Sequence, residues 1–417
     1  MIARFVVMVC FVMVFSRGIF ELVSTKEIGY GASVGALGLI FLTVLLHHLA
    51  QRKPLRIPHG LPPRFALIYT LMAGVSLYAT AISGGPVILG VLYTTLHLFL
   101  IWSLVVLAEN ASLSVRSLLY AVVAAGIVVV VTGLLELGGY IKFPGSWTFG
   151  DYDRIAGSLG SKQHYSFASA ALGMLVIWLY LQLRIRVLLL LAMALIALCF
   201  VSLSRNGIPI VVGTLGLYFA ADIKKFLAGT KTLLIIGIIA SLGFAQFYPD
   251  LAGTILERFT SIVSLENASN ANRVLAWENG VDHVFSGSIL YGTETGIFSQ
   301  AGDRLGIDNS MHFESAILQQ FANYGIIGGF AFIGFFVSFA LTIRDRFLKS
   351  LALMLFASFF YYPGSEALPF VAIWLIIAMG AASARSATAQ TRPAIEPGPA
   401  AAGEMLAPHQ QTFAPER

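Results

Sequence analysis

Apolar runs about twenty residues long recur along this 417-residue chain. A helix needs about 20 mostly apolar residues to cross the roughly 30 Å hydrocarbon core of a membrane, whereas a strand needs about half as many. Helices also satisfy their own backbone hydrogen bonds, which lipid cannot do. The runs predict an all-α, polytopic bundle of about twelve transmembrane helices, near residues 5–23, 28–46, 65–82, 86–108, 117–135, 165–182, 187–203, 206–220, 232–247, 325–343, 347–362 and 367–380.

The low content of charge supports this prediction. Charged residues make up 11% of the chain, against about 25% in a soluble domain. A lipid bilayer is therefore the expected surrounding, and no nucleic-acid partner is expected. The two cysteines, Cys10 and Cys199, lie inside apolar runs, which excludes a disulfide framework or a cysteine metal site.

Lysine and arginine fall mainly on one side of the predicted spans. With a cytoplasmic N-terminus, 17 of the 26 Lys and Arg residues lie on the cytoplasmic side and 8 on the other. Because cytoplasmic loops carry an excess of these residues, both ends of the chain are predicted to be cytoplasmic. Two outer segments, 136–164 and 248–324, are then too long to be simple connections.

The longer outer segment is predicted to be partly helical. Apolar residues recur at helical spacing from Val274 to Phe285 and again from Phe313 to Tyr324, where Gly325 ends the second stripe. A large outer loop with its own helices is therefore part of the predicted fold.

The span interiors offer few groups for chemistry. Apart from Arg17 and Glu21 in the first span, they contain no Asp, Glu, Lys or Arg, which argues against an ion-coupled transporter. His97 is the one titratable exception deep in a later span, and a satisfied core residue is favoured there over a proton relay. The polar residues gather instead on the outer side, so a functional site is expected there.

Two short motifs on the outer side are suited to binding an anion. Arg154 begins a glycine-rich segment with Gly157, Gly160 and His164 that leads into a span. Free N–H groups at a helix start favour an anion, but a flexible re-entry loop is the favoured explanation of the glycines alone. The second motif, Ser204-Arg205-Asn206-Gly207, lies between two spans. Its arginine has a planar fork that matches phosphate oxygens, although it is also typical of an interfacial anchor.

A third segment combines a histidine with carboxylates. Asp308, His312 and Glu314 precede the second amphipathic stripe of the long outer loop. Histidine exchanges a proton near neutral pH, and a nearby carboxylate can orient it or act in its place. For this pattern alone, a helix-capping cluster is the favoured interpretation.

In this order, the three segments resemble the bacterial O-antigen ligase and polymerase superfamily. The matching pieces are Arg154-x-x-Gly-x-x-Gly before a span, Ser204-Arg205-x-Gly207, Arg273-x-x-x-Trp277, the histidine-bearing segment, and Tyr324-Gly-Ile-Ile-Gly328. The likeness covers roughly residues 150–345. Its specificity lies in the order, spacing and membrane side of the motifs, because each motif alone is short.

The resemblance implies an enzyme of the bacterial inner membrane. Such an enzyme transfers a glycan from undecaprenyl diphosphate to a sugar hydroxyl at the periplasmic face. The acceptor is the lipid A core for a ligase, and another lipid-linked glycan for a polymerase. The family's paired arginines carry over to Arg205 and Arg273, and its ligase histidine to His312. Ligases usually have Asn after this histidine, whereas Phe313 follows His312 here, so both activities stay open.

The residues themselves agree with this class of reaction. Arg205 and Arg273 are suited to stabilise a leaving diphosphate, and His312, Glu314 or Asp308 to accept the acceptor's proton. Attack opposite the diphosphate implies an inverting enzyme. Arg154, Gly157, Gly160, His164 and Ser204 are the other expected substrate-binding residues. No cofactor or metal is expected, because no His/Asp/Glu cluster has ligand spacing.

Four regions follow from these interpretations. They are the N-terminal spans 1–135, the ligase/polymerase-like region 136–345, the C-terminal spans 346–380 and a disordered cytoplasmic tail 381–417 rich in Ala, Pro, Ser and Gln. A lipid-linked oligosaccharide transporter or flippase is the alternative function, and a structural membrane partner is a further one. A flippase would need a charged central cavity, which the span interiors do not offer.

Overall fold

A computed structural model describes residues 2–56, 58–144, 147–149, 152–202, 204–220, 253, 268–286, 288–292, 295–299 and 313–390. This part of the chain is helical apart from one hairpin, in which β1 (Trp147–Phe149) pairs with β2 (Tyr152–Arg154) in antiparallel register. The helices in chain order are α1 Ile2–Phe15, α2 Arg17–Val23, α3 Lys26–Ala50, α4 Leu61–Ile82, α5 Val87–Asn110, α6 Val115–Leu137, α7 Lys162–Leu183, α8 Val187–Val201, α9 Ile208–Ala220, α10 Ala268–Ser286, α11 Ala316–Thr342, α12 Arg346–Ser358 and α13 Leu368–Gln390. Short 3-10 turns span Gly157–Leu159, Arg205–Gly207 and Gly364–Glu366.

Six helices in the described ranges are long and apolar enough to cross a membrane, namely α3 to α7 and α11. Seven result if the bent pair α1 and α2 is one span. Three further apolar helices are shorter: α8, α9 and Leu368–Ala384 of α13. These helices indicate a membrane protein. The predicted count of twelve spans is not confirmed, and the span predicted at 232–247 lies outside the described residues.

The first predicted span is broken into two helices. α1 and α2 differ in direction by 66°, and Ser16 lies between them. Arg17 Nε and Glu21 Oε1 are 2.7 Å apart, with side chains only 9% and 3% exposed. Charges removed from water are stabilised by pairing, so these two ionic groups form an internal pair. The side chain that Gly18 lacks would collide with the backbone of Gly157 and Gly160, so α2 packs directly on that turn.

A layer of hydrogen-bonded polar side chains joins α4, α5 and α11. Tyr69 Oη donates to Gln320 Oε1 at 2.6 Å, and Gln320 Nε2 donates to Tyr93 Oη at 3.0 Å. His97 is buried, and its two ring nitrogens lie 2.9 Å from the Tyr93 carbonyl and 3.0 Å from Ser365 Oγ. The prediction that this histidine is a satisfied core residue is therefore confirmed.

The second amphipathic stripe does not end a helix at Gly325. Gly325 has φ 69° and ψ −177°, and α11 resumes immediately after it. The chain at Ile289 packs against this break and accepts a hydrogen bond of 2.8 Å from the Ile326 N–H. A side chain at Gly325 would collide with the Leu290 backbone. The glycine therefore introduces a break that receives a second segment of chain.

The C-terminal boundary also differs from the prediction. α13 continues to Gln390, ten residues into the segment 381–417 that was expected to be disordered. The alanines of this stretch explain the extension, because alanine has the highest helix propensity. The remainder of the tail lies outside the described residues.

Helices α8, α9 and α12 are shorter than the hydrocarbon core of a membrane is thick. They have 15, 13 and 13 residues, hence lengths of about 20–22 Å against a hydrocarbon core of roughly 30 Å. α9 and α12 are aligned, since the Arg346 guanidinium lies 5.8 Å from the Tyr218 ring at one end and Tyr361 meets Asn206 at the other. The turn 204–207 and the connection 359–367 therefore lie at the same end of these two helices.

Candidate functional site

Polar groups from five segments meet where α9 begins and α12 ends. We call this group the polar junction. Its members are His164 and Ser166 of α7, Ser204–Gly207, Arg273 of α10, Glu314 before α11, and Tyr361–Tyr362 after α12.

Ser166 holds the turn that contains Arg205. Its hydroxyl donates to the Ser204 carbonyl at 2.9 Å and accepts from the Gly207 N–H at 3.2 Å. A side chain at Gly207 would collide with the Ser166 carbonyl, so glycine is required for this close approach. The predicted Ser-Arg-x-Gly motif is therefore a turn fixed against α7, with Ser204 and Asn206 buried.

Arg273 and Glu314 form an ion pair across the long outer loop. Arg273 Nε donates to Glu314 Oε2, with side chains 19% and 32% exposed. Both residues were predicted as catalytic, and the structure brings them together from positions 41 apart in the chain. Ion pairs with this much exposure typically contribute only about 0–1 kcal/mol. The carboxylate is therefore an anion that a stronger one can replace.

Tyr361 connects this ion pair to the arginine turn. It is close enough to Arg273 for an electrostatic interaction, and its hydroxyl donates a long hydrogen bond of 3.4 Å to the Asn206 carbonyl. Arg273 is thus paired with Glu314 and lies within electrostatic range of Tyr361, which bonds directly to the residue beside Arg205. The segments that carry the two predicted phosphate-binding arginines meet at one place.

The backbone around Tyr361 is irregular, and it is paired within the protein. The N–H groups of Ala316 and Ile317 donate to the carbonyls of Tyr362 and Phe359 at 3.3 and 3.2 Å. The Ser315 hydroxyl also donates to Phe359. Non-helical backbone at membrane depth is tolerated where the protein itself supplies such partners. These bonds therefore tie the connection after α12 to the start of α11, directly beside Glu314.

His164 lies at the edge of the polar junction. It is buried in the first turn of α7, and its ring meets that of Tyr362 edge-on at 6.0 Å. Tyr362 in turn stacks on Phe167 at 4.0 Å. This aromatic group fixes the start of α7 against the 359–367 connection.

The glycine-rich segment binds an anion that belongs to the protein. The N–H groups of Ala156 and Gly157 donate to Glu136 Oε2 at 2.9 and 2.6 Å, and the Ser158 N–H donates to Thr132 Oγ1 at 3.2 Å. These N–H groups were expected to be open to a substrate. The buried Glu136 carboxylate already accepts the hydrogen bonds of the Ala156 and Gly157 N–H groups. A substrate that contacts Gly157 would therefore have to bind other atoms of this segment.

The backbone conformation explains why both predicted binding residues of that segment, Gly157 and Gly160, are glycines. Gly157 and Gly160 have φ of 53° and 62°, which side chains disfavour. A side chain at Gly157 would collide with the Tyr165 ring, and one at Gly160 would lie 2.7 Å from Glu21 Oε2. The substrate-binding roles of both residues stay predictions.

Several predicted residues cannot be located. Asp308 and His312 lie outside the described residues. Arg205 and Arg154 are described in their backbone, in the 3-10 turn and in β2, while the positions of their side chains lie outside the described part. The roles assigned to these four residues therefore stay predictions.

Sequence reasoning missed three contributors, namely Tyr361, Ser166 and Glu136. Ser166 and Tyr361 fell within predicted spans, and Glu136 was the first residue of the predicted outer segment 136–164, so none of them was singled out. The Pro363-Gly364 pair directly after the tyrosines is a turn signal, and it could have indicated that the span ends before Tyr361.

Among the described residues, no group of three or more His, Cys, Asp or Glu side chains could hold a metal ion. Asp308 and His312 lie outside that search, so the absence of a metal requirement stays a prediction.

Comparison with known proteins adds no assignment. No protein-family model matches the chain, and a search of curated proteins finds no match.

Proposed function

We propose that this protein is a membrane glycosyltransferase of the O-antigen ligase or polymerase type. It would transfer a glycan from undecaprenyl diphosphate to a sugar hydroxyl during surface polysaccharide assembly. The observation that carries the proposal is that the Arg273–Glu314 ion pair lies within electrostatic range of Tyr361, whose hydroxyl donates to the Asn206 carbonyl beside Arg205.

The position of the polar junction at the ends of two short helices suits a lipid-linked donor. Transfer from a polyprenyl diphosphate requires the diphosphate to reach cations while the polyprenyl chain stays in the membrane. Helices α9 and α12 are about 20 Å long, shorter than the roughly 30 Å core. Polar groups at the start of α9 and the end of α12 would then lie below the membrane surface, where the diphosphate of a lipid-linked donor could reach them.

The proposed reaction uses the two arginines and one base. The acceptor oxygen attacks the anomeric carbon from the face opposite the diphosphate, and the carbon–oxygen bond to the diphosphate breaks. Arg205 and Arg273 would stabilise the charge that develops on the leaving diphosphate. The hydroxyl proton would pass to His312, Glu314 or Asp308. Inversion at the anomeric carbon follows.

Glu314 has a defined place in this scheme. In the structure its carboxylate is paired with Arg273, the residue to which the donor diphosphate is proposed to bind. A diphosphate carries more charge and would displace it. Donor binding would therefore free Glu314 near the reacting carbon, where it could accept a proton.

The finer topology belongs to this proposal. It has about twelve spans in a bacterial inner membrane, cytoplasmic ends, and the loops 136–164 and 248–324 in the periplasm. Alternation of the described helices agrees with this arrangement, because the polar junction and the connections 51–60, 111–114 and 184–186 lie at opposite ends.

The test is transfer by the purified protein with an undecaprenyl-diphosphate-linked glycan as donor. Release of undecaprenyl diphosphate with a new glycosidic bond supports the proposal. A product on the lipid A core identifies a ligase, and a longer lipid-linked glycan identifies a polymerase. Movement of intact donor across a vesicle membrane without release would establish a flippase and overturn the proposal.

A further inference from the structure

A cluster of exposed cations lies at the end of the bundle opposite to the polar junction. Arg52, Lys53 and Arg56 are exposed in the connection between α3 and α4, and Arg64 is exposed in the first turn of α4. We call these four residues the basic patch. The basic patch and the polar junction lie at opposite ends of α6. This helix begins beside the patch, and Glu136 near its other end bonds to the glycine-rich turn.

The chain around the basic patch contains few acidic residues. Residues 28–110 contain one acidic side chain, that of Glu109, which is half-buried. Arg4 of α1 adds to the positive charge, because Arg4 and Lys53 are both close enough to His47 to interact with it electrostatically. An anion at this surface would therefore meet several cations at once.

Two buried polar side chains fix the backbone that presents these cations. The Asn110 amide accepts from the Arg56 N–H at 2.7 Å and donates to the Arg56 carbonyl at 3.1 Å. His48 Nε2 lies 3.2 Å from the Pro54 carbonyl. His48 and Asn110 are only 5% and 4% exposed. Because the connection is held in place before a ligand arrives, binding costs less conformational entropy.

Apolar side chains beside the cations indicate the class of partner. Leu55, beside Arg56, and Leu61, three residues before Arg64, are 51% and 57% exposed. Three helices that could cross a membrane, α3, α4 and α5, end or begin at this surface. A mixture of exposed leucines and cations at helix ends suits the boundary between headgroups and acyl chains. An acidic protein segment in water would gain little from the leucines.

We infer that the basic patch binds the headgroup of an anionic phospholipid. The guanidinium groups of Arg52 and Arg56 would donate to the phosphate oxygens, while Leu55 contacts the upper acyl chains. This inference does not depend on the proposed function, because it concerns the opposite end of the molecule.

The test compares two double variants of the purified full chain. Arg52→Gln with Lys53→Gln removes two charges from the basic patch. Arg184→Gln with Arg186→Gln removes two exposed charges from a different connection at the same end. Native mass spectrometry would measure retention of phosphatidylglycerol against phosphatidylcholine. The patch variant is expected to lose about ten- to thirty-fold in phosphatidylglycerol affinity, and the control variant less than three-fold.

A third variant, Asn110→Ala, removes no charge but releases the Arg56 backbone. It is expected to weaken phosphatidylglycerol binding several-fold, with folding checked by circular dichroism. Equal losses in the two double variants would mean diffuse charge attraction and overturn the inference. Wild-type lipid preference in the patch variant would also overturn it and would assign the basic patch to an acidic protein segment.

Discussion

At the scale of single residues, Arg205 is the sharpest test of a phosphate-binding role. Lysine keeps the charge of arginine but loses its planar fork. Arg205→Lys and Arg205→Ala are both expected to reduce glycan transfer about a hundred- to a thousand-fold, which corresponds to about 2.7–4 kcal/mol. Transfer would be measured at matched membrane abundance.

The matched control for this prediction is Arg184→Lys. Arg184 is exposed at the far end of α7, so its replacement should leave transfer unchanged. Near wild-type transfer by Arg205→Lys would show that Arg205 is an interfacial anchor. His312→Ala belongs beside these variants, because full activity there would move the base role to Glu314 or Asp308.

The ion pair of Glu314 with Arg273 predicts a gain in affinity. Glu314→Gln removes the internal anion that competes for Arg273, so inorganic pyrophosphate should bind up to about five-fold more tightly, the equivalent of 1 kcal/mol. Isothermal titration calorimetry would measure this affinity. Arg273→Gln should weaken the same binding.

Asp345→Asn serves as the control, since Asp345 caps α12 at the opposite end. Unchanged pyrophosphate affinity in Glu314→Gln would contradict competition between the carboxylate and the donor. If neither the wild type nor any variant binds pyrophosphate, the proposed function itself loses its support.

At the scale of elements, Glu136 is expected to hold the glycine-rich turn. Glu136→Ala leaves the N–H groups of Ala156 and Gly157 without their acceptor, and hydrogen bonds to a charged group contribute about 1.5–3 kcal/mol each. The free energy of unfolding should fall by at least about 2 kcal/mol. Hydrogen exchange should accelerate at Ala156 and Gly157 in particular.

Glu27→Ala is the matched control for the Glu136 variant. Glu27 is an exposed carboxylate in the first turn of α3, and its removal should leave both measurements close to wild type. Unchanged exchange at Ala156 and Gly157 in Glu136→Ala would mean that the Tyr165 packing alone maintains the turn.

Most elements could be predicted from apolar periodicity, but their contacts could not. The eleven predicted spans that fall on described residues all overlap helices, because lipid imposes a strong pattern on composition, although the first is broken in two and only six of the described helices are long and apolar enough to cross a membrane. Periodicity says nothing about which residues distant in sequence meet. The Tyr361 bond to Asn206 joins positions 155 apart, and Glu136 reaches Gly157 across the hairpin. Such pairings arise from tertiary packing and have no local signal.

At the scale of the whole molecule, the lengths of α8, α9 and α12 differ from the prediction. Their apolar runs were long enough to suggest full spans, yet α12 ends at Ser358 and the chain turns inward through Tyr361 and Tyr362. A tyrosine at the end of an apolar run reads as an interfacial residue. Only the partner segments, the start of α11 and the turn at Asn206, reveal that these residues belong to the polar junction.

The arrangement of the whole chain predicts that the polar junction and the basic patch lie on opposite sides of the membrane. The polar junction should face the periplasm and the basic patch the cytoplasm, because cytoplasmic connections carry the excess of Lys and Arg. Ala271→Cys in α10 and Ser114→Cys between α5 and α6 place exposed thiols at the two ends. Cys10 and Cys199 are buried and should contribute little background. An impermeant maleimide applied to intact cells should label Ala271→Cys alone, and Ser114→Cys only after permeabilisation. The reverse pattern would invert the topology and place the polar junction where no periplasmic donor could reach it.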